Sequence, residues 1–297
     1  MYKRIPGVLV TITMLAGAAA QTAWAQDHEH EDEGHSHDGL HFTHPLIAES
    51  VTPDTKLRLD HQFLDLPDGD KIHVGNLEAE YAFFRSFSIE AGLPYSYTGS
   101  QAGNLEVALK FANFDFEDSG ILLGYGIEFG FPTAGEGEEE EELPVAASRP
   151  AVLTGFPAAL LGANSQSSSG GAIGEAEWEI APFLNIGIMA GNLELVAWGI
   201  FGIPFAQEEG EEVETEIEYN ISALYHFSPR FEGLLELDGA GGISGHAVGE
   251  DVLNLSPGIR VQPFSDSRFV LGTSVGFPLT NEEAFSTRWT TSLFWHF

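Results

Sequence analysis

The chain closes on Trp289-Thr290-Thr291-Ser292-Leu293-Phe294-Trp295-His296-Phe297, and the reading of this stretch decides the fold. Side chains of a strand alternate between its two faces, so Trp289, Thr291, Leu293, Trp295 and Phe297 share one face. Thr290, Ser292 and His296 share the other, with Phe294 as the exception. One apolar face, one mostly polar face and an aromatic last residue are expected of a barrel with lipid outside and water inside. In a soluble sheet the same strand is a modest core element, so the rest of the chain has to decide.

Upstream, the same alternation recurs over residues 57–63, 77–83, 87–95, 105–111, 121–131, 178–188, 193–205, 217–227, 231–237, 253–261 and 269–279. With the terminal strand this predicts an all-β fold, a transmembrane antiparallel barrel of about twelve strands spanning 51–297 in the bacterial outer membrane. The connections sort by parity. Those after even strands are short: Arg85-Ser86, 115–119, Gly191-Asn192, Ser228-Pro229-Arg230 and 263–268. Those after odd strands are generally longer and hold the charge: 99–103, 132–171, 207–214, 240–250 and 280–287. Short periplasmic turns alternating with long outer loops suit such a barrel, whereas a β-sandwich has no reason to sort loops this way. An even strand count places the N-terminal leader and the C-terminus together on the periplasmic side.

The N-terminus reads as a signal peptide over residues 1–25, with Lys3 and Arg4, an apolar stretch over 8–20, and Ala23-Trp24-Ala25 as the cleavage site. Residues 26–50 read as a disordered leader rich in His, Asp and Glu. The chain has no Cys, which excludes disulfides and thiolate metal sites. A formal net charge of −33 argues against nucleic acid and suits a protein that attracts cations.

Six of the eleven histidines crowd the leader: His28, His30, His35, His37, His41 and His44. Neutral imidazole is a common ligand for Zn, Cu, Ni and Co, and the interspersed carboxylates add oxygen donors. These six are the candidate metal ligands; the bland alternative is a polar leader that happens to be His-rich. No cofactor is required, and the oligomeric state stays open. The leader either hangs in the periplasm or enters the barrel as a plug.

Complementing the apolar faces is a lumen-facing set that includes Lys56, Arg58, Asp60, Glu78, Glu80, Glu90, Glu106, Lys110, Glu128, Glu194, Glu236, Arg260 and Arg288. Carboxylates outnumber bases there, which favours cations, unless Lys56, Arg58 and Arg288 cluster at a constriction where the barrel closes. Two acidic runs, 136–142 and 208–214, form either solvated loops or a cation-attracting rim, and the apolar stretch 151–162 suits a lid.

The chain resembles the outer-membrane "transporter" family named for the meta-pathway of phenol degradation. The resemblance rests on the aromatic strand over 77–95 with its Gly92-Leu93-Pro94-Tyr95 end, on Gly124-Tyr125-Gly126-Ile127-Glu128-Phe129-Gly130-Phe131-Pro132, and on Gly276-Phe277-Pro278-Leu279. It implies a passive pore embedded in outer-membrane lipid. The leader is similar to those of exported proteins that handle zinc or copper. At the terminal assembly signal, Thr291 stands where a Gly is usual, so the match there lies in the aromatics.

These features point first to a passive channel for divalent transition-metal cations, and alternatively to a diffusion channel for small organic or aromatic compounds. An enzyme is not expected. His61, His73, His226 and His296 lie on strands beside Ser or Asp, but no local motif fixes a catalytic triad.

Overall fold

The computed structural model describes residues 40–67, 69–98, 100–133, 178–205, 215–243, 251–264, 268–280 and 285–297. Residues 1–25, where a signal peptide is expected, both acidic runs, the 151–162 stretch and His28, His30, His35 and His37 lie outside them.

Among the described residues the strands are β1 (Lys56–Asp65), β2 (Lys71–Phe84), β3 (Phe87–Ser96), β4 (Gln101–Ala102), β5 (Leu105–Asn113), β6 (Ile121–Phe131) and β7 (Trp178–Ala190). They continue as β8 (Leu193–Phe205), β9 (Glu216–Ser228), β10 (Phe231–Gly242), β11 (Asp251–Val261), β12 (Phe269–Pro278) and β13 (Thr287–His296). β4 is a two-residue piece on the end of β3, within a stretch the alternation assigned to a loop. The other twelve form a single closed ring of antiparallel neighbours. β1 pairs with β2 on one side and with β13 on the other, so the first and last strands seal the barrel. Closure leaves no sheet edge with unpaired backbone groups, which is what lets strands cross a bilayer.

Register follows from the alternation. Leu57, Leu59 and Phe63 stand opposite Trp295, Leu293 and Trp289, so apolar side chains meet across the seam on the outer face. Leu59, Trp289 and Trp295 are 46, 52 and 39% exposed, while their sequence neighbours Arg58, Asp60, Arg288 and Thr290 are buried. An apolar wall turned outward over a charged interior is the inverse of a soluble protein, and it is stable only against lipid.

The short connections lie at the end where β1 begins and β13 ends. Among the two-residue ones is Gly191-Asn192, where Gly191 has φ +60°, a left-handed conformation that favours glycine. The 115–119 turn holds one 3₁₀ turn, Glu117–Ser119. Near this end the outer wall carries contiguous aromatic pairs, among them Phe87 with Phe111, Tyr225 with Phe227, and Trp295 with Phe297. A girdle of aromatic rings at that level suits a membrane–water interface.

Candidate functional site

What fills the lumen is the leader itself. The expected boundary at residue 50 cuts through a packed segment: Phe42, Leu46, Ile47, Ala48, Glu49, Ser50, Val51 and Thr52 are all buried. A disordered leader therefore does not extend to residue 50, because from Leu40 onward its apolar side chains find partners inside the barrel. The segment bends at 46–48 and doubles back. The Phe42 amide donates to Thr52 Oγ1 at 2.9 Å, and Ser50 Oγ donates to the Phe42 carbonyl at 3.0 Å.

Apolar side chains of the leader seat in an apolar arc of the inner wall. Phe42 and Val51 pack with Ala112, Leu122 and Val196 near the short-turn end. Leu46 packs with Leu224, Leu234 and Phe294. Ala48 meets Ala108, Ala181, Phe183, Trp198 and Ile200. The wall gives way at Gly187, where an added Cβ would come within 2.7 Å of the Phe42 ring. Phe294, the exception on the terminal strand, is part of this arc, with the Arg58 and Arg260 guanidiniums over its ring at 5.1 and 5.2 Å.

Polar groups of the wall meet the leader backbone. Glu194 accepts from the Thr43 amide at 2.9 Å and from its hydroxyl at 3.0 Å. Glu236 accepts from the Ile47 amide at 3.0 Å, and Asn185 donates to the Ser50 carbonyl at 3.3 Å. These contacts satisfy backbone groups that would otherwise lie buried without partners.

Beside the apolar arc, β1, β2, β3 and β5 carry a buried ionic cluster. Lys56 Nζ lies 2.9 Å from Glu78 and 3.0 Å from Glu80. Lys110 Nζ lies 3.0 Å from Glu80, and Arg58 Nε 2.8 Å from Asp60. Glu49 of the leader enters this cluster: one oxygen is 3.3 Å from Lys56 and 3.4 Å from Lys110, and the other 3.3 Å from Arg58. Burial alone would push the Glu49 carboxyl up, but Lys56, Lys110 and Arg58 together hold it below its ordinary value. Oxygens of Glu49, Glu78 and Glu90 come within 4.8 Å of one another, a spacing that suits a cation; ammonium groups already serve them.

Of the three bases that the sequence allowed to cluster where the barrel closes, Lys56 and Arg58 do so, and the third base is Lys110 rather than Arg288. Arg288 bonds instead to Asp238 at 2.6 Å and to Ser256 at 3.1 Å. The excess of carboxylates along the lumen favours cations, but where the leader sits the wall presents three bases to it.

Of the six candidate metal ligands, two are described. The side chain of His41 is 45% exposed, 3.9 Å from Asp54. His44 is buried, with Nδ1 at 3.1 Å from Lys56 Nζ and Nε2 at 3.4 Å from Asp54. An ammonium only donates, so Nδ1 of His44 accepts and the ring is neutral. His296 Nδ1 lies 2.7 Å from the same Asp54 oxygen, so the structure gathers three imidazoles around one carboxylate at the foot of the leader.

The histidines considered for catalysis are otherwise engaged. His226 bonds Glu194 at 2.7 Å and approaches Glu232 at 3.3 Å. His61 and His73 meet each other at 3.3 Å on the outer wall.

The inward apolar residues were missed by a strict period of two. Their signal was present as runs that are apolar on both faces, Ile121-Leu122-Leu123, Leu195-Val196-Ala197-Trp198 and Leu234-Leu235.

A closed antiparallel ring, an apolar outer wall and a charged, occupied lumen define a membrane-spanning β-barrel. No family model matches the chain, and no curated protein does. Solved structures do. The chain is similar to the COG4313 outer membrane channel from Pseudomonas putida F1, with TM-score 0.58 and 12% identity over 89% of this chain and 100% of that one. It is also similar to the KdgM porin, with TM-score 0.51 and 11% identity over 82% of this chain and 99% of that one. For the NanC porin the values are 0.51 and 7%, over 82% and 98%. At such identities the likeness establishes a shared barrel fold.

Proposed function

We propose that this chain is a passive outer-membrane channel for small organic compounds, with residues 40–54 as its lumenal gate. The observation that carries this reading is the seating of Phe42, Leu46 and Ala48 in apolar patches of the inner wall. A wall that holds apolar side chains within a charged lumen can hold a solute that is part apolar and part polar. The resemblance to the phenol meta-pathway "transporter" family and the likeness to an outer membrane channel and two porins support the same class. In this reading the leader and the C-terminus face the periplasm, where both meet at the seam.

The test is uptake into proteoliposomes. Protein lacking residues 26–54 is expected to admit a small aromatic compound faster than the intact protein. Equal rates from both proteins, matching empty liposomes, would overturn the reading.

A second reading is passage or capture of divalent Zn, Cu, Ni or Co. It is favoured by His41, which stands exposed beside Asp54 and directly follows the stretch that holds His28, His30, His35 and His37. Removing residues 26–39 is then expected to abolish metal binding by the purified protein and to slow metal passage. Unchanged binding and conductance would sink it.

A further inference from the structure

We propose that the place filled by the Glu49 carboxylate is an anion subsite of the channel, and that solutes bearing a carboxylate beside an apolar group compete for it with the leader. The inference rests on the organic-solute reading above and names the solute class.

Three bases from two strands, Lys56 and Arg58 of β1 and Lys110 of β5, converge on one carboxylate that belongs to neither strand. The wall carboxylates hold these bases more closely than Glu49 does. Lys56 is 2.9 and 3.0 Å from Glu78 and Glu80, but 3.3 Å from Glu49. Lys110 is 3.0 Å from Glu80, but 3.4 Å from Glu49. Arg58 is 2.8 Å from Asp60, but 3.3 Å from Glu49. Glu78, Glu80 and Asp60 therefore keep the bases in place when the leader leaves. Glu49 is the exchangeable partner.

Once it has gone, Lys56, Arg58 and Lys110 keep their wall carboxylates, but each loses the Glu49 oxygen that reached it from the lumen, and a contact of all three toward the lumen is left open. An incoming carboxylate restores the arrangement charge for charge. The neighbouring residues of Glu49 supply the other half of the recognition. Ala48 lies against Phe183, Trp198 and Ile200, and Leu46 against Leu224 and Phe294. A carboxylate and an apolar group side by side are what the leader itself presents. A small aromatic or aliphatic acid presents the same pair, without the backbone bonds at Thr43 and Ile47.

The experiment is planar-bilayer conductance of the full mature chain, titrated with benzoate and with its neutral isostere benzamide. Benzoate is expected to raise the conductance saturably, and benzamide to do so only at about tenfold higher concentration, since a charge-assisted contact contributes about that factor. In Glu49→Gln the half-saturating benzoate concentration is expected to fall about tenfold, because the competing carboxylate is gone. This substitution lies in the leader, outside the barrel strands. In Lys110→Gln the preference for benzoate over benzamide is expected to shrink. If benzoate and benzamide act alike, the anion subsite is overturned while the organic-solute channel stands. If neither acts on the intact or the leaderless protein, the channel reading falls with it.

Discussion

Asp54, two residues before the first strand, lies 2.7 Å through its Oδ2 from Nδ1 of His296, the penultimate residue of the chain. The foot of the leader is thereby tied to the strand that closes the barrel. Further bonds fix the same point: the Asp54 amide donates to Glu80 at 3.1 Å, and the Phe297 amide donates to the Thr55 carbonyl at 3.1 Å. Replacing the Asp54 carboxylate removes a partner shared by His41, His44 and His296. Asp54→Ala is expected to weaken leader docking by about 2 kcal/mol, a shift of roughly thirtyfold in the docked-to-released ratio. Single-channel recordings should show more frequent open events, with the barrel's heat stability on gels unchanged. Equal open probability in the two proteins would refute the tie.

Docking should also weaken in mild acid. Burial, and then the Lys56 ammonium, hold His44 well below its ordinary value, against the opposing pull of Asp54. A docked leader thus resists protonation at His44 and a released one does not, so docking is strongest above about pH 6.5 and weakens as pH falls toward the lowered value. Glu49 and Asp54 are both held below their ordinary values, so their contributions persist until the pH drops under about 4. Between these limits His44 is the one of the three that titrates, with a slope of at most about tenfold per pH unit. The groups facing it are Lys56, Lys110, Asp54 and His296, beside the Phe294 ring. Conductance is expected to rise from pH 7.5 to 5.5 in the intact protein and much less in His44→Gln. Parallel pH profiles would contradict this assignment.

Phe294 bears on both the leader and two bases. Phe294→Ala removes the ring that packs on Leu46, Leu224 and Leu234 and lies beneath Arg58 and Arg260. Truncating a buried aromatic costs about 3 kcal/mol. The expected outcome is a lower urea midpoint for the barrel together with higher conductance. A change in stability alone would separate the ring from the gate.

At Gly187 the prediction isolates sterics from charge. Its Cβ position lies 2.7–2.9 Å from the Phe42 ring, closer than a Cβ atom approaches a neighbour it is not bonded to. Gly187→Val is expected to unseat Phe42 and raise conductance severalfold at every pH, while Phe42→Ala in the same chain restores leader docking in part. Accessibility of a thiol introduced at position 43 to a bulky reagent would follow the same order.

Much of the barrel was legible because its signal is local. Every predicted strand has its counterpart in the ring, and over 178–188 the outward apolar face falls on even positions: Leu184 is 63% exposed, while Phe183 is buried. A period of two reads which side a residue faces, but not what stands opposite it inside the lumen. Phe294 stood out only as an exception, and Glu49 was one more acid in an acidic leader. Their roles depend on a bend at 46–48 that brings a leader carboxylate to bases on β1 and β5, and no spacing along the chain encodes that meeting.

The sequence by itself determined the alternation, the strand order and the outward apolar face, since each is set by neighbours two positions apart and by hydrogen bonds between successive strands. Only the tertiary structure decided that the leader occupies the lumen and that Lys56, Arg58 and Lys110 share a carboxylate from it. That outcome follows from ring closure: sealing β1 to β13 brings distant strands around one confined space, and the leader's apolar and acidic side chains are drawn to the wall groups that match them there.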